Sequence, residues 1–171
     1  MKKVFDYFVL CVVFFAPFCL IGGLRFYNEI IFSIHCEGHL KRAADANTIE
    51  IAKKELQTAI DYLEKNKITD GFTSVIYQSP NDDIGFFYNN LKSSIEELDK
   101  VTTDTTQLER TNVLMKLRET LLDHKDSGDK VTLPDAIQVF PNNKTYFWGG
   151  IGLLIWAIIG FVAILVKLQD Y

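Results

Sequence analysis

No charged side chain occurs over the 22 residues from Thr145 to Val166. At a helical rise of about 1.5 Å per residue the run spans about 33 Å, enough to cross the hydrocarbon core of a bilayer. Tyr146, Phe147 and Trp148 open it, where amphipathic rings favour the headgroup layer, and Lys167 closes it, where a lysine stem can snorkel. Gly149, Gly150, Gly152, Ala157, Gly160 and Ala163 supply small positions for close helix approach. The segment 145–167 is expected to be a transmembrane helix, and the rest of the chain must fold against that constraint.

A second uncharged run, the 18 residues Tyr7–Leu24, follows the basic start Met1-Lys2-Lys3. It reads as a signal anchor over 1–24. A cleaved signal peptide shares the basic start but wants a small-x-small site, and Ile21-Gly22-Gly23 places Ile at the −3 position. Cys11 follows Leu10 and Cys19 follows Phe18, without the small preceding residue of a bacterial lipobox, so both read as membrane-buried thiols. Lys2, Lys3 and Lys167 flank the runs on one side and Arg25 and Lys144 on the other. The positive-inside bias then expects both termini, including a tail at 168–171, in the cytoplasm of a plasma (inner) membrane. The domain at 25–144 would face the periplasm or the cell exterior.

That domain is acidic, with 15 Lys and Arg against 20 Asp and Glu between residues 25 and 144. Phosphate backbones require clustered positive charge, so nucleic acid is not an expected partner. Ile49, Ala52, Leu56, Ala59 and Leu63 recur at heptad spacing, the pattern of a coiled-coil-like stripe, and the stretch 26–66 is expected to be one helix continuous with the first span. Leu40, Ala44, Asn47 and Ile51 form a second stripe whose register drifts toward the membrane.

Asn66 to Gly71 and Pro80 to Asp83 carry stop and start signals around the short β-rich Phe72–Tyr77. Ile84, Phe87, Leu91, Ile95, Leu98 and Val101 then resume helical spacing, with Ser79 or Asn81 as the expected cap. At Thr102–Thr106 the helix either bends or a third begins, with Asp104 as N-cap and Gln107 at N3. Leu108, Leu114, Leu117 and Leu121 continue the stripe to about 125, and Pro134 and Pro141 make the remainder a connector. The nearly equal spans 26–66 and 83–125 suit an antiparallel hairpin that returns to its own membrane.

The predicted fold is therefore an all-α membrane protein: terminal transmembrane helices flanking an extramembrane antiparallel hairpin or bundle, with an extended or irregular connection at its tip. A lone hairpin would leave half its apolar surface uncovered, so a homo-oligomer or another membrane protein is the expected partner, besides the lipid bilayer.

His35-Cys36-Glu37-Gly38-His39 is the one cluster of metal-ligand types. His35 and His39, at i and i+4, would share a helical face, and hairpin symmetry about residue 75 would set Met115 opposite His35. Solvated or interfacial histidines are the more ordinary reading, and His124 would stand roughly 13 Å away along the axis. No metal or cofactor is expected. Phe72, Tyr77, Phe86, Phe87 and Tyr88 gather near the expected tip beside Asp82 and Asp83, whose spacing is not that of a calcium loop. They are candidates for partner binding, against the simpler reading that they plug the open end of the bundle.

No nucleophile elbow, His-Glu-x-x-His, Walker loop, dinucleotide fingerprint or Cys-x-x-Cys-His occurs, so catalysis is not expected. In layout alone the chain is similar to the outward-facing helical sensor domains of bacterial chemoreceptors and sensor kinases. With Tyr171 soon after Lys167, it would signal only through a partner. The expected function is a membrane-anchored interaction protein, a scaffold or accessory subunit. The alternative is a small-ligand or metal-binding sensor module lacking its own output domain.

Overall fold

The computed structural model describes residues 2–125 and 128–169; side chains at 2–8, 10, 11, 124, 125, 164 and 167–169 are outside that description. The expectations resting on Met1, Asp126, Ser127, Asp170 and Tyr171, and on the side chains of Lys2, Lys3, Cys11, His124 and Lys167, therefore lie outside the described residues. The molecule is mostly helical. Helix α1, Lys2–Phe32, continues through a π turn, Ser33–Glu37, into α2, Gly38–Ala44. Then follow α3, Ile49–Lys65, α4, Ile84–Asp99, and α5, Gln107–Leu121. Strands β1, Leu122–Lys125, and β2, Gly128–Val131, form an antiparallel hairpin that pairs Leu122 with Val131. Helix α6 spans Asn143–Gln169, and Asn143–Ala163 within it is long and apolar enough to cross a membrane.

The expected single helix over 26–66 is corrected. Asp45 to Thr48 break it, and Thr48 caps the new helix by accepting from the Ile51 amide at 3.3 Å. Thr48 is extended (ψ 151°), so the chain reverses and α3 runs back along α2 and the end of α1. Tyr62, near the end of α3, meets the ring of Phe32 edge-on and stacks on His35. A β-branched residue that can hydrogen-bond locally is a better cap than a helix-interior residue, and here that preference overrides the apolar spacing on either side.

A second reversal falls at the threonine cluster, where a third helix begins rather than a bend. Its cap is Thr106, not Asp104. Thr106 accepts from the Glu109 amide at 3.3 Å and donates its own amide to Glu109 at 2.9 Å, a capping box. Arg110 donates to the carbonyls of Thr102, Thr103 and Thr105 and so ties the turn together. Asp83 caps α4, in place of Ser79 or Asn81, by accepting from the Phe86 amide at 2.9 Å. The fourth segment stops at Leu121, short of the expected 125, because the β hairpin takes over there.

Two reversals turn the expected long hairpin into successive antiparallel segments within one chain. Lys53 pairs with Asp99 at one end of α3 and α4, and Glu64 meets Tyr88 and Lys92 at the other. Lys116 of α5 reaches Glu97 of α4 at 2.6 Å, and Arg118 reaches Asp45 beyond α2 at 2.9 Å. Leu40, Leu56, Ile60, Leu63, Ile84, Leu91, Leu98 and Leu121 are fully buried between the segments. Long apolar side chains of this kind stabilise by about 1.5–3 kcal/mol each on burial. The connection 132–142 then leads back to α1, where Asn28 donates to the Tyr146 hydroxyl at 3.0 Å.

Candidate functional site

The extra reversal at Asp45 to Thr48 relocates the expected tip. The 66–83 connection is carried back to where α1 meets the start of α6, and its residues 73–77 line a cleft with Arg25, Tyr146 and Phe147. The five aromatics do not form one cluster. Phe72 makes an isolated bridge with Asp83, and Tyr77 is exposed on the cleft wall. Phe86, Phe87 and Tyr88 are successive on α4, and residues about 100° apart on a helix face three directions. Phe87 is accordingly in the core and Phe86 exposed, while Tyr88 donates to Glu64 Oε1 at 2.5 Å. That bond pushes the Tyr88 hydroxyl up to about 12 and holds the Glu64 carboxyl below its usual range.

Of the metal-ligand cluster, His35 and His39 both face α3, where they meet Tyr62 and Glu55, seven residues apart. The π turn closes with the Gly38 amide donating to Ser33 O, an i to i+5 bond that adds a residue to the turn and rotates everything beyond it. His35 is left exposed, stacked on Tyr62, while His39 is half-buried against α3. Cys36 points into the core, where burial, with the Glu37 charge adding, pushes its thiol up to about 12. Met115 lies on a cavity with Ala44 to Glu50 and so is not placed opposite His35. Among the described residues no group of three or more His, Cys, Asp or Glu is arranged to hold a metal ion.

Three features were not expected from the spacing of residues. The first is a polar seam between α2 and α3: Glu55, only 8% exposed, accepts from His39 Nδ1 at 2.6 Å and from Arg42 at 2.7 Å. Its sequence signal is position, since Glu55 sits inside the Ala52–Leu56 stripe, where a charge requires a partner. The second is a cavity of about 490 Å³ between the α2–α3 turn and α5, with Arg110, Arg118 and Leu114 on its wall. Beside it on α5, Leu108 and Met115, seven residues apart with Thr111 and Asn112 between them, are 71% and 56% exposed; Ile51 of α3 is also exposed. The third is the cleft at the start of α6, also of about 490 Å³.

No family model, no curated protein and no solved structure matches the chain.

Proposed function

We propose that the chain is a membrane-anchored helical interaction protein, a scaffold or accessory subunit without catalytic activity, whose water-facing bundle docks a partner or a second copy through the outer face of α5. The observation that carries it is the Leu108 and Met115 stripe. The inner face of α5 buries Leu117 and Leu121, so Leu108 and Met115 on its outer face pack against nothing in the core, and Met115 lines an open cavity.

The anchor in this reading is a pair of antiparallel spans, α1 and α6, with both termini cytoplasmic and the bundle periplasmic or extracellular. It is supported by the uncharged run in each helix and by their mutual packing. Phe14 lies 5.1 Å from Trp156, centroid to centroid, and beside Gly160, while Ile21 lies beside Gly149. Outward, Val12, Phe15, Leu20, Leu154, Ile158 and Phe161 are exposed to what a bilayer would cover. A photo-crosslinking residue at Met115, with Lys54 as control, tests the docking face. The expected result is a Met115-specific adduct whose mass identifies a second copy or one membrane protein; adducts no different from those at Lys54 would remove this face from consideration.

A sensor module is the second reading, favoured by the π turn that lies between α1 and the bundle. Such a turn can lose or gain its extra residue and so rotate one helix against another. The cavity beside α5 would then take a small anion, although Arg110 already holds three carbonyls and Arg118 already pairs with Asp45 and Asp129. Thermal stabilisation by small carboxylates, abolished in Arg110→Gln, distinguishes it from the first reading.

A further inference from the structure

The cleft at the start of α6 has a chemistry that the interaction reading does not use. Asn143, 8% exposed, donates from Nδ2 to Ala136 O at 3.1 Å, while its Oδ1 is buried without a protein donor. A buried acceptor is costly to leave unpaired, so the site favours whatever supplies the missing hydrogen bond. Asp82 and Asp135 line the same cleft. Asp82 accepts from Ser79 and Thr73 and keeps further lone pairs. Arg25 of α1 lines the cleft as well. Asn143 is also the first residue of a 27-residue helix, whose N-terminal end favours anions. The cleft therefore brings one cationic side chain, two carboxylates and a buried amide oxygen together at the end of a helix.

Its flank is apolar. Ile76 and Tyr77 are each 71% exposed on the cleft's loop, and Tyr146 and Phe147 of the apolar helix α6 form the wall beside them. Phe26, Tyr27 and Trp148 are exposed next to these positions in sequence. Aromatic and apolar residues gathered where a span leaves the hydrocarbon mark the headgroup layer.

We propose that this cleft binds the headgroup of an amine-bearing phospholipid in the leaflet facing the bundle. Arg25 and the N-terminal end of α6 take the phosphodiester, and Asp82, Asp135 and Asn143 Oδ1 take the ammonium. Ile76 and Tyr77 rest on the acyl region. The proposal rests on the reading of α1 and α6 as spans. A choline headgroup carries no N–H for Asn143 and a glycerol headgroup carries no cation for the two aspartates, so phosphatidylethanolamine is the preferred ligand.

The test is the full chain in nanodiscs of equimolar phosphatidylcholine, phosphatidylethanolamine and phosphatidylglycerol, with the lipids that stay bound counted by native mass spectrometry. Phosphatidylethanolamine is expected to be enriched, and Arg25→Gln and Asp135→Asn, both at exposed positions, each reduce the enrichment about threefold, as for a partly exposed charge contact. Lys54→Gln leaves it unchanged. Equal retention of the three lipids by an inserted chain would overturn the site alone. Failure to insert would overturn the two spans and the site with them. Displacement of the bound lipid by soluble O-phosphoethanolamine at equal concentration would assign the cleft to a free ligand and overturn the lipid proposal.

Discussion

Cys36 and Glu55 are polar or reactive groups that the bundle has taken out of water, and each carries a test of the packing around it. Burial moves the Cys36 thiol from an ordinary value of 9.0 up to about 12, so the folded state holds its proton more tightly than the unfolded chain does. Its stabilising contribution is complete below pH 9 and is lost as pH rises through about 12. Thermal unfolding in detergent is therefore expected to show the wild type losing its advantage over Cys36→Ala between those limits. Iodoacetamide at pH 8 should leave Cys36 unmodified until the chain unfolds; rapid labelling of the native protein would place the thiol outside the core. Glu55→Gln removes the charge that holds both His39 and Arg42, and the expected loss is about 1.5–3 kcal/mol in a denaturant titration. At this scale the sequence named the right neighbourhood and the wrong partners. His35 and His39 both meet α3, at Tyr62 and Glu55, while Cys36 turns into the core, so no three ligand types converge there among the described residues.

The helices themselves were readable wherever apolar spacing ran uninterrupted, as in Ile49–Leu63 and Ile84–Leu98, and in the 22-residue run of α6. Their ends were less so, because a cap depends on which of several neighbouring polar residues takes the extended conformation. Thr48 caps where no break was expected, Asp83 caps in place of Ser79 or Asn81, and Thr106 in place of Asp104. Thr106→Ala removes a complete capping box and is expected to cost about 1 kcal/mol, measured by thermal or denaturant unfolding. Gly38→Ala probes the π turn. Alanine in an ordinary helix interior gains about 1 kcal/mol over glycine. At Gly38 the new Cβ would stand 3.1 Å from Ser33 O, the acceptor of the π-turn bond, so that gain is expected to be absent. A full gain would mean that α1 and α2 join through regular helix. The β hairpin had no readable signal beyond Gly128, whose φ of +109° suits only glycine.

Across the whole molecule, the misjudged quantity was the number of reversals, since equal lengths of 26–66 and 83–125 are compatible with one hairpin or with two folded halves. The added turn at Asp45 to Thr48 buries within one chain much of the apolar surface that a lone hairpin would have left for a second copy, and it brings the 66–83 connection down beside Arg25 and α6. The large apolar side chains still exposed include those on the outer surface of α1 and α6, Leu108 and Met115 of α5, and Ile34, Ile51, Ile76, Tyr77 and Phe86. A Cβ at Gly160 would overlap the Phe14 ring, whereas Gly150 and Gly152 face open space. Gly160→Val is therefore expected to separate α1 from α6, seen as loss of a disulfide between cysteines placed at Ile21 and Gly149, and Gly152→Ala to leave that crosslink intact. The two-span arrangement is tested most directly in intact cells, in a background where Cys11, Cys19 and Cys36 are alanine, by labelling single cysteines at Lys3, Lys54 and Gln169 with a membrane-impermeant maleimide. Labelling at Lys54 alone, with the two terminal positions reacting only after the cells are opened, is the predicted result; a terminus that labels on the same side as Lys54 would contradict a bundle held between two spans.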